Sequence, residues 1–248
     1  MRFLDKIKKL GDPRLPASMK HHARRILLTR RFAFRINPDT VIASIDPEQF
    51  RAIHARHAVP NPGDAPEKYL ELRRWLEVNI RRLRELDLDL FPRRRILDIG
   101  SGAGYFLYLC KRLGHDVLGL DLDESPMFND LTELLGVPRV IARIERYKPL
   151  PKFDAPFDLI TAYMICFNDH KTDHIWGPDE WEFFLNDAAQ YLRPTGIIHL
   201  ELNQEFDGTS YTPALRDYFE RRGATVVNNR VTLTPDSRAP RAIASASR

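Results

Sequence analysis

The chain has 248 residues, of which 43% are hydrophobic and 29% are charged, a balance typical of a globular protein. This length accommodates one large α/β domain with an extension, or two small domains. No stretch approaches the roughly 20 apolar residues of a membrane helix, and the charged start lacks the apolar core of a signal peptide, so we expect a cytoplasmic location.

The net charge of +4 conceals two regions of opposite charge. Residues 1–95 contain 22 Lys and Arg against 12 Asp and Glu, whereas the remainder contains 16 against 22. A basic first third suggests an anionic partner. We favour the simpler interpretation, in which the basic extension packs on the acidic remainder of the chain or forms a solvated face, because no nucleic-acid-binding motif accompanies the charge.

The first part of the chain is interrupted by prolines and carries basic clusters. We predict a basic, mainly helical N-terminal extension over residues 1–65, with an amphipathic helix within its first ten residues. The segment 59–66, "VPNPGDAP", is predicted to be the loop at the end of this extension. From residue 66 to about residue 86, apolar side chains recur every three or four positions, which predicts an amphipathic helix.

Short apolar runs then alternate with helical patterns. Ser125 and Pro126 are typical of the start of a helix, and Asp179 with Glu182 forms the pattern of a capping box. The predicted strands are 94–100, 115–123, 139–144, 157–167 and 197–203, and the predicted helices are 105–114, 125–136, 179–193 and 212–223.

The segments between and after these elements are less regular. Residues 194–196, "PTG", predict a turn, and residues 224–234 predict either one strand or a tight hairpin. The tail 235–248 has the composition of a disordered segment. Cys110 and Cys166 both lie in apolar segments, which predicts buried free thiols.

Strands and helices that alternate in this way, with nearly continuous apolar strands, predict a parallel sheet covered on both faces. We therefore expect a Rossmann-like, doubly wound, mostly parallel α/β domain over residues 66–234. Ligands bind such sheets at the carboxyl ends of the strands, where the strand order reverses.

One glycine-rich loop lies at that position, after the first predicted strand. It reads Asp98-Ile-Gly100-Ser-Gly102-Ala-Gly104. Glycines let a ligand approach the backbone, and the following helix offers free amides to an anion. The third glycine comes one residue too early for a dinucleotide loop, and no Lys-Ser or Lys-Thr follows for a phosphate loop. Because Asp98 would repel a pyrophosphate and attract an ammonium group, an amino acid moiety fits best.

A second acidic residue indicates what is attached to that amino acid. Asp121 lies 17 residues after Gly104, at the end of the next predicted strand. A carboxylate there can accept hydrogen bonds from the two hydroxyls of a ribose. The implied ligand is an amino acid joined to a nucleoside.

The segment 94–203 resembles the class I S-adenosylmethionine-dependent methyltransferases, whose first motif [DE]-x-G-x-G-x-G is matched in full. The stretches "FDLITAY" and "YLRPTGIIHLELN" resemble later motifs of this family, with Thr195 in place of a glycine. The resemblance implies S-adenosylmethionine as cofactor and assigns a set of contacts to it. Asp98, Gly100, Ser101, Gly102 and Gly104 would hold the methionine part, Asp121 the ribose, and Leu122 with Ile144 or Glu145 the adenine.

Aromatic side chains near the strand ends also suit a positively charged sulfur. Tyr105, Tyr163 and Phe167 occupy such positions, where each is either a cofactor contact or part of the core. We include Tyr163 in the predicted cofactor site.

The segment 166–176, after the fourth strand, offers candidates for a general base. His170 is our first choice and His174 the second, the alternative being that both are surface histidines. Asp169 and Asp173 lack an evident third ligand, so we expect no metal.

The function predicted from the sequence is methyl transfer to a small-molecule acceptor, with an oxygen acceptor slightly favoured. The extension would be a lid or an acceptor-binding element, in which Arg30, Arg31 and Arg35 would favour an anionic acceptor. The alternatives are an RNA or protein methyltransferase that uses the basic extension, and a non-catalytic cofactor-binding subunit. An aminopropyl transferase is a remote further option.

Overall fold

The computed structural model describes residues 36–58, 65–90 and 93–234. The predicted helix in the first ten residues, the arginines at positions 30, 31 and 35, most of the loop 59–66 and the tail 235–248 lie outside these ranges. Within the described ranges, no helix has both the length and the apolar character needed to cross a membrane.

A seven-stranded sheet forms the centre of the molecule, in the order β3-β2-β1-β4-β5-β7-β6. The first five strands in the chain are parallel, and β7 pairs antiparallel with both β5 and β6. This confirms the Rossmann-like, mostly parallel sheet. The strands are β1 Arg95–Ile99, β2 Asp116–Asp121, β3 Arg139–Ile141, β4 Phe157–Ile165, β5 Leu192–Leu202, β6 Thr225–Val227 and β7 Arg230–Leu233.

Within the described ranges, seven α-helices cover the two faces of the sheet. Side chains alternate along β1, so that Ile96 packs in one hydrophobic core with helices α1 to α5, and Leu97 packs in a second with α6 and α7. The helices are α1 Pro38–Ile42, α2 Pro47–His57, α3 Leu72–Glu85, α4 Tyr105–Arg112, α5 Pro126–Leu134, α6 Pro178–Gln190 and α7 Pro213–Arg221, with a 3₁₀ turn at Glu67–Leu70.

The part of the extension that is described joins the same core. Val41 of α1 and Ile53 of α2 are buried in the cluster that contains Leu107 of α4. Asp130 of α5 accepts hydrogen bonds from both Arg56 and His57, at 2.6 and 2.8 Å. These contacts attach α2 to the helix that follows β2.

Three predictions of local secondary structure were wrong in whole or in part. The predicted helix 66–86 is confirmed over α3, Leu72–Glu85, but its first turn is wrong, because Glu67–Leu70 form a separate 3₁₀ turn. Residues 194–196 are not a turn between elements but a bulge inside β5, where the six residues Leu192–Ile197 oppose the three residues Phe157–Leu159. Gly196 makes the bulge possible, since an added Cβ would lie 3.0 Å from the Phe157 carbonyl oxygen.

The third error concerns the start of α6. Its N-cap is Gly177, whose amide donates to Glu180 Oε2 at 3.0 Å. Glu182, which the capping-box pattern assigned to the cap, accepts instead from Tyr218 and Arg222 of the region around α7. By contrast, Ser125 caps α5 as predicted, accepting from the Phe128 amide at 3.3 Å.

The end of the sheet resolves the choice left open for residues 224–234. These residues form a hairpin of β6 and β7, with Asn228 in the left-handed region at φ 53°. Asparagine tolerates this conformation better than most residues, which suits it to a two-residue turn.

Candidate functional site

The glycine-rich loop joins β1 to α4 at the carboxyl edge of the sheet. Gly100, Gly102 and Gly104 all have positive φ, at 72°, 53° and 77°. Gly104 also has no space for a side chain, because an added Cβ would lie 3.0 Å from Thr132 and 3.3 Å from Val137. At Gly100 an added Cβ would meet nothing within 4 Å. The loop is therefore held against α5 at one end and open to the cavity at the other.

A cavity of about 730 Å³ opens along this loop, a volume within the range typical of small-molecule sites. Its walls come from the carboxyl ends of β1, β2 and β4, from the segment after β3, and from the region around α3. The cavity is lined by every residue predicted to bind the cofactor, namely Asp98, Gly100, Ser101, Gly102, Gly104, Asp121, Leu122, Ile144 and Tyr163.

Asp98, at the penultimate position of β1, is almost completely buried at the bottom of this cavity. The Thr161 hydroxyl, from the residue paired with it on β4, donates to its Oδ1 at 2.6 Å. Burial raises the pKa of Asp98 to about 7, an effect that the Thr161 hydrogen bond and the nearby Arg82 oppose. A ligand ammonium group would stabilise the ionised form.

Asp121, the last residue of β2, holds the glycine loop in place. Its Oδ2 accepts from the Gly102 amide at 2.5 Å, and its Oδ1 accepts from the Leu122 amide at 2.7 Å. Burial raises its pKa, while these two amides lower it. Each carboxylate oxygen can accept a second hydrogen bond, so Asp121 can orient the loop and still accept from ribose hydroxyls.

Aromatic side chains that sequence reasoning did not assign to the site form one wall. Tyr69 stacks on Trp75 with ring centroids 4.6 Å apart, and it meets Phe128 edge to face at 5.0 Å. The Tyr105 hydroxyl donates to the Tyr69 carbonyl oxygen at 2.9 Å. This wall therefore connects the segment before α3 to the start of α4, beside the glycine loop.

Two polar residues of α3, Asn79 and Arg82, also line the cavity and were missed. Both are buried, and they occupy the stripe that contains Leu76 and Leu83. A polar residue within an apolar stripe is the one signal in the sequence that would have indicated them.

Leu122, Ile144 and Glu145, the residues predicted to contact an adenine, all line this cavity. Arg146 Nε donates to Asp169 Oδ2 at 2.8 Å, and the same oxygen accepts from Trp176 Nε1 at 3.2 Å. These bonds join the segment after β3 to the segment after β4 at the wall of the cavity.

The candidate bases are not brought together with the glycine loop. His170 lines a neighbouring cavity, where its Nδ1 lies 2.8 Å from Glu205 Oε1. Met164 lines both cavities, so the two adjoin. His174, the second choice, is exposed on the surface.

Cys166 lies at the wall of the main cavity, next to β4. The prediction of two buried thiols was correct for Cys110 and wrong for Cys166, which is exposed. β4 ends one residue earlier, at Ile165, so Cys166 lies outside the strand. Cys166 Sγ accepts from Asn203 Nδ2 at 3.1 Å, and partial burial raises its pKa.

Within the described ranges, no three His, Cys, Asp or Glu side chains are grouped in a way that would hold a metal ion. The charged groups of the cavity instead suit an organic ligand. The buried Asp98 carboxylate provides a partner for an ammonium group, the open space at Gly100 admits a ligand against the backbone, and Asp121 offers acceptors. An amino acid joined to a nucleoside fits this set of groups.

Comparison with known proteins agrees with this geometry. Residues 96–196 match the family model described as a methyltransferase domain. This segment is a class I S-adenosylmethionine-dependent methyltransferase domain. The cofactor of this domain class is S-adenosylmethionine, and the match includes the whole glycine loop, Asp121 and β4.

Individual relatives of the methyltransferase domain are distant. A probable S-adenosylmethionine-dependent methyltransferase from Mycolicibacterium smegmatis is 28% identical over 105 residues, which are 42% of this chain and 36% of that protein. The chain thus spans about a third of that relative's length.

Among solved structures, a methyltransferase from Archaeoglobus fulgidus is 27% identical, with a TM-score of 0.37, over 50% of this chain and 52% of that one. An amino pentose methyltransferase from Micromonospora echinaspora with bound S-adenosylmethionine is 23% identical, with a TM-score of 0.38, over 51% and 50%.

Proposed function

We propose that the protein transfers the methyl group of S-adenosylmethionine to a small-molecule acceptor, with an oxygen atom as the favoured acceptor. The observation that carries this proposal is the single cavity that combines the glycine loop and Asp98 with the aromatic wall of Tyr69 and Trp75. A cavity of about 730 Å³ suits a cofactor and a small acceptor together.

The residues of this chain would bind and orient the reactants. Asp98 would hold the ammonium group, the loop amides the carboxylate, and Asp121 the ribose, while Leu122 and Ile144 would pack on the adenine. S-Adenosylmethionine supplies a methyl group on a positively charged sulfur. The aromatic wall would exclude water and align the acceptor for in-line displacement.

A hydroxyl acceptor must also lose a proton, and His170 stays our prediction for the base. Glu205 orients its ring through Nδ1, an arrangement in which Nε2 serves as the base. Because His170 lines the neighbouring cavity, the acceptor would have to extend past Met164 to reach it.

Calorimetry with S-adenosylhomocysteine tests the cofactor site directly. We expect binding by the full chain, and we expect Asp98→Ala and Asp121→Ala each to weaken it about tenfold or more, because each leaves ligand polar groups unpaired. The failure of the unmodified protein to bind at millimolar ligand would overturn the proposal and favour a non-catalytic role.

Transfer of a labelled methyl group from the cofactor into a fractionated cell extract would identify the acceptor. We expect the label in the small-molecule fraction. Label in RNA or protein would instead support the alternative that uses the basic N-terminal extension, residues 1–65, of which residues 1–35 and 59–64 lie outside the described ranges.

A further inference from the structure

A second cavity, of about 920 Å³, adjoins the main cavity that contains the glycine loop. It is lined by the segment after β4, the connection from β5 to α7, the start of α7 and the turn between β6 and β7. Most of its lining residues come after residue 196, outside the segment that matches the methyltransferase family. The second cavity is therefore a feature of this chain that the family match does not cover.

Met164 lies at the boundary of the two cavities and lines both. It has φ 54°, which is uncommon for a residue other than glycine, and it forms a bulge where the pairing of β4 with β5 shifts. Asn203 Nδ2 holds this bulge by donating to the Met164 carbonyl oxygen at 3.0 Å. As a result Met164 is 46% exposed, although Tyr163 and Ile165 are buried. Backbone strain of this kind is concentrated at functional sites.

The second cavity offers groups that both donate and accept hydrogen bonds. The carboxamides of Asn203, Gln204 and Asn229 and the hydroxyl of Ser210 line it. Asn229 is held like Asn203, since its Nδ2 donates to the Leu202 carbonyl oxygen at 2.8 Å. A carboxamide bound through its nitrogen still has its oxygen as an acceptor. Such groups suit the hydroxyls of a ligand, because a hydroxyl also donates and accepts.

The second cavity also has apolar surface. Met164, Leu202, Tyr211 and Pro213 contribute to its lining. The Tyr211 hydroxyl donates to the Asn228 carbonyl oxygen at 2.5 Å, which fixes the position of the Tyr211 ring. An aromatic ring presents a large, flat apolar face. The C–H groups of a sugar ring form a face that can pack against it, while the hydroxyls of the sugar lie at its edge.

The charges around the second cavity do not favour an anion. Lys171 and Arg216 line it together with Asp217. Arg216 Nε also donates to Glu220 Oε1 at 2.8 Å, and the Lys171 amide donates to Glu205 Oε2 at 2.7 Å. These two cations are therefore accompanied by three carboxylates, which leaves no excess of positive charge to select an anionic acceptor.

We propose that the second cavity binds the acceptor, and that the acceptor is a neutral carbohydrate that is methylated on a hydroxyl oxygen. This inference rests on the proposed function and names its substrate class. The apolar surface contacts the C–H face of the sugar, and the carboxamides bind its hydroxyls. The hydroxyl at the Met164 boundary forms the new C–O bond as the methyl–sulfur bond breaks. Its proton passes to His170, and S-adenosylhomocysteine is the other product.

The chemical nature of the labelled product tests the substrate class. The full chain would be incubated with methyl-labelled S-adenosylmethionine and the small-molecule fraction of a cell extract. The product would be hydrolysed in acid and separated by chromatography with mass detection. We expect the label in an O-methyl derivative of a neutral monosaccharide.

Label in any other kind of compound, an acidic sugar included, or no labelled product at all, would overturn the inference. Label in another small molecule would leave the proposed function standing. If the unmodified protein also fails to bind S-adenosylhomocysteine, the proposed function fails as well.

A substitution that fills the second cavity tests the location. Ser210 lines the second cavity and not the main one, so Ser210→Trp should lower the kcat/KM of methyl transfer at least about tenfold. The affinity for S-adenosylhomocysteine, measured by calorimetry, should change by less than about twofold. The matched control is Ala214→Trp, which adds the same side chain at an exposed position of α7 outside both cavities. Equal kcat/KM values for the two variants would place the acceptor elsewhere.

A second variant covers the case in which Ser210→Trp does not fold. Gln204 is exposed and lines the second cavity, so Gln204→Ala removes one carboxamide without disturbing the core. We expect the KM for the acceptor to rise about fivefold with little change in kcat, because the lost hydrogen bond contributes to binding rather than to the transfer step. An unchanged KM in this variant would contradict the proposal.

Discussion

The two sides of the cavity are built in different ways. The glycine loop, residues 100–104, is specified by its backbone, with three glycines at positive φ and one carboxylate, Asp121, that accepts from the Gly102 amide. The segment 166–176 after β4 is specified by side chains, with Asp169 bound to Arg146 and Trp176, and His170 bound to Glu205. The first arrangement is local in the sequence, whereas the second depends on partners as far as 35 residues away.

This difference predicts separate consequences for substitutions on the two sides. Changes in the glycine loop should alter the binding of the cofactor, since the loop and its carboxylates form that end of the cavity. Changes in the segment after β4 should alter the transfer step or the stability of the local fold. The following predictions test that division, from the largest expected effect to the smallest.

The largest effect is expected at His170. If it removes a proton from the acceptor, His170→Ala should lower the rate of methyl transfer about a hundredfold, the usual contribution of a general base. The affinity for S-adenosylhomocysteine should change by less than about twofold, because His170 does not line the main cavity. Transfer into the labelled extract fraction and calorimetry would measure the two quantities.

His174→Ala is the matched control, since this histidine is exposed in the same segment. It should leave both quantities unchanged. Equal rates for His170→Ala and the unmodified protein would remove His170 as the base.

The next effect is expected at Gly100. A side chain there would be strained by the positive φ and would occupy the space in which the ligand meets the backbone. Gly100→Ala should weaken S-adenosylhomocysteine binding at least about tenfold. Gly114 provides a control, because it has φ 86°, has open space around it, and does not line the cavity.

Gly114→Ala should cost a similar amount of stability, about 1–3 kcal/mol, without any change in affinity. Thermal unfolding and calorimetry on both variants would separate backbone strain from lost binding. Equal affinities for the two variants would show that the loop backbone does not contact the ligand.

The difference between local and distant contacts also explains which features of the fold and the site could be predicted from the sequence. The alternation of strands and helices, the glycine loop and Asp121 depend on periodicity and spacing, and the structure brings them together as expected. The contact between His170 and Glu205 and the position of Arg82 depend on how distant segments of the chain pack together. No periodic pattern in the sequence indicates such packing. The bulge in β5 escaped prediction for the same reason, because it depends on the register with β4.

A smaller effect concerns the pH dependence of the binding step. Burial raises the pKa of Asp98 to about 7, and only its ionised form attracts an ammonium group. The affinity for S-adenosylhomocysteine should therefore fall by up to about tenfold per pH unit below pH 7 and level off above it. Asp98→Asn should bind more weakly and lose this pH dependence, as calorimetry between pH 5 and 8 would show.

The raised pKa of Asp98 affects the stability of the ligand-free protein in the opposite direction. Stability should rise, rather than fall, as the pH is lowered. The folded protein takes up a proton on Asp98 below about pH 7, whereas the unfolded chain does so only near its ordinary value of 3.8. The folded state should thus gain stability from this group as the pH falls from 7 towards 4. A dependence of binding on pH that persists unchanged in Asp98→Asn would assign it to another group.

The smallest effect is expected at the start of α6, which ends the segment after β4. Glu180 accepts from the Gly177 amide and from the Tyr147 hydroxyl, whereas Asp179, which the sequence pattern placed in the cap, is exposed. Glu180→Ala should therefore lower the free energy of unfolding by about 1 kcal/mol, and Asp179→Ala by less than about 0.5 kcal/mol. Since neither residue lines the cavity, both variants should bind S-adenosylhomocysteine normally. The reverse order of the two losses in urea unfolding would show that the cap lies at Asp179 after all.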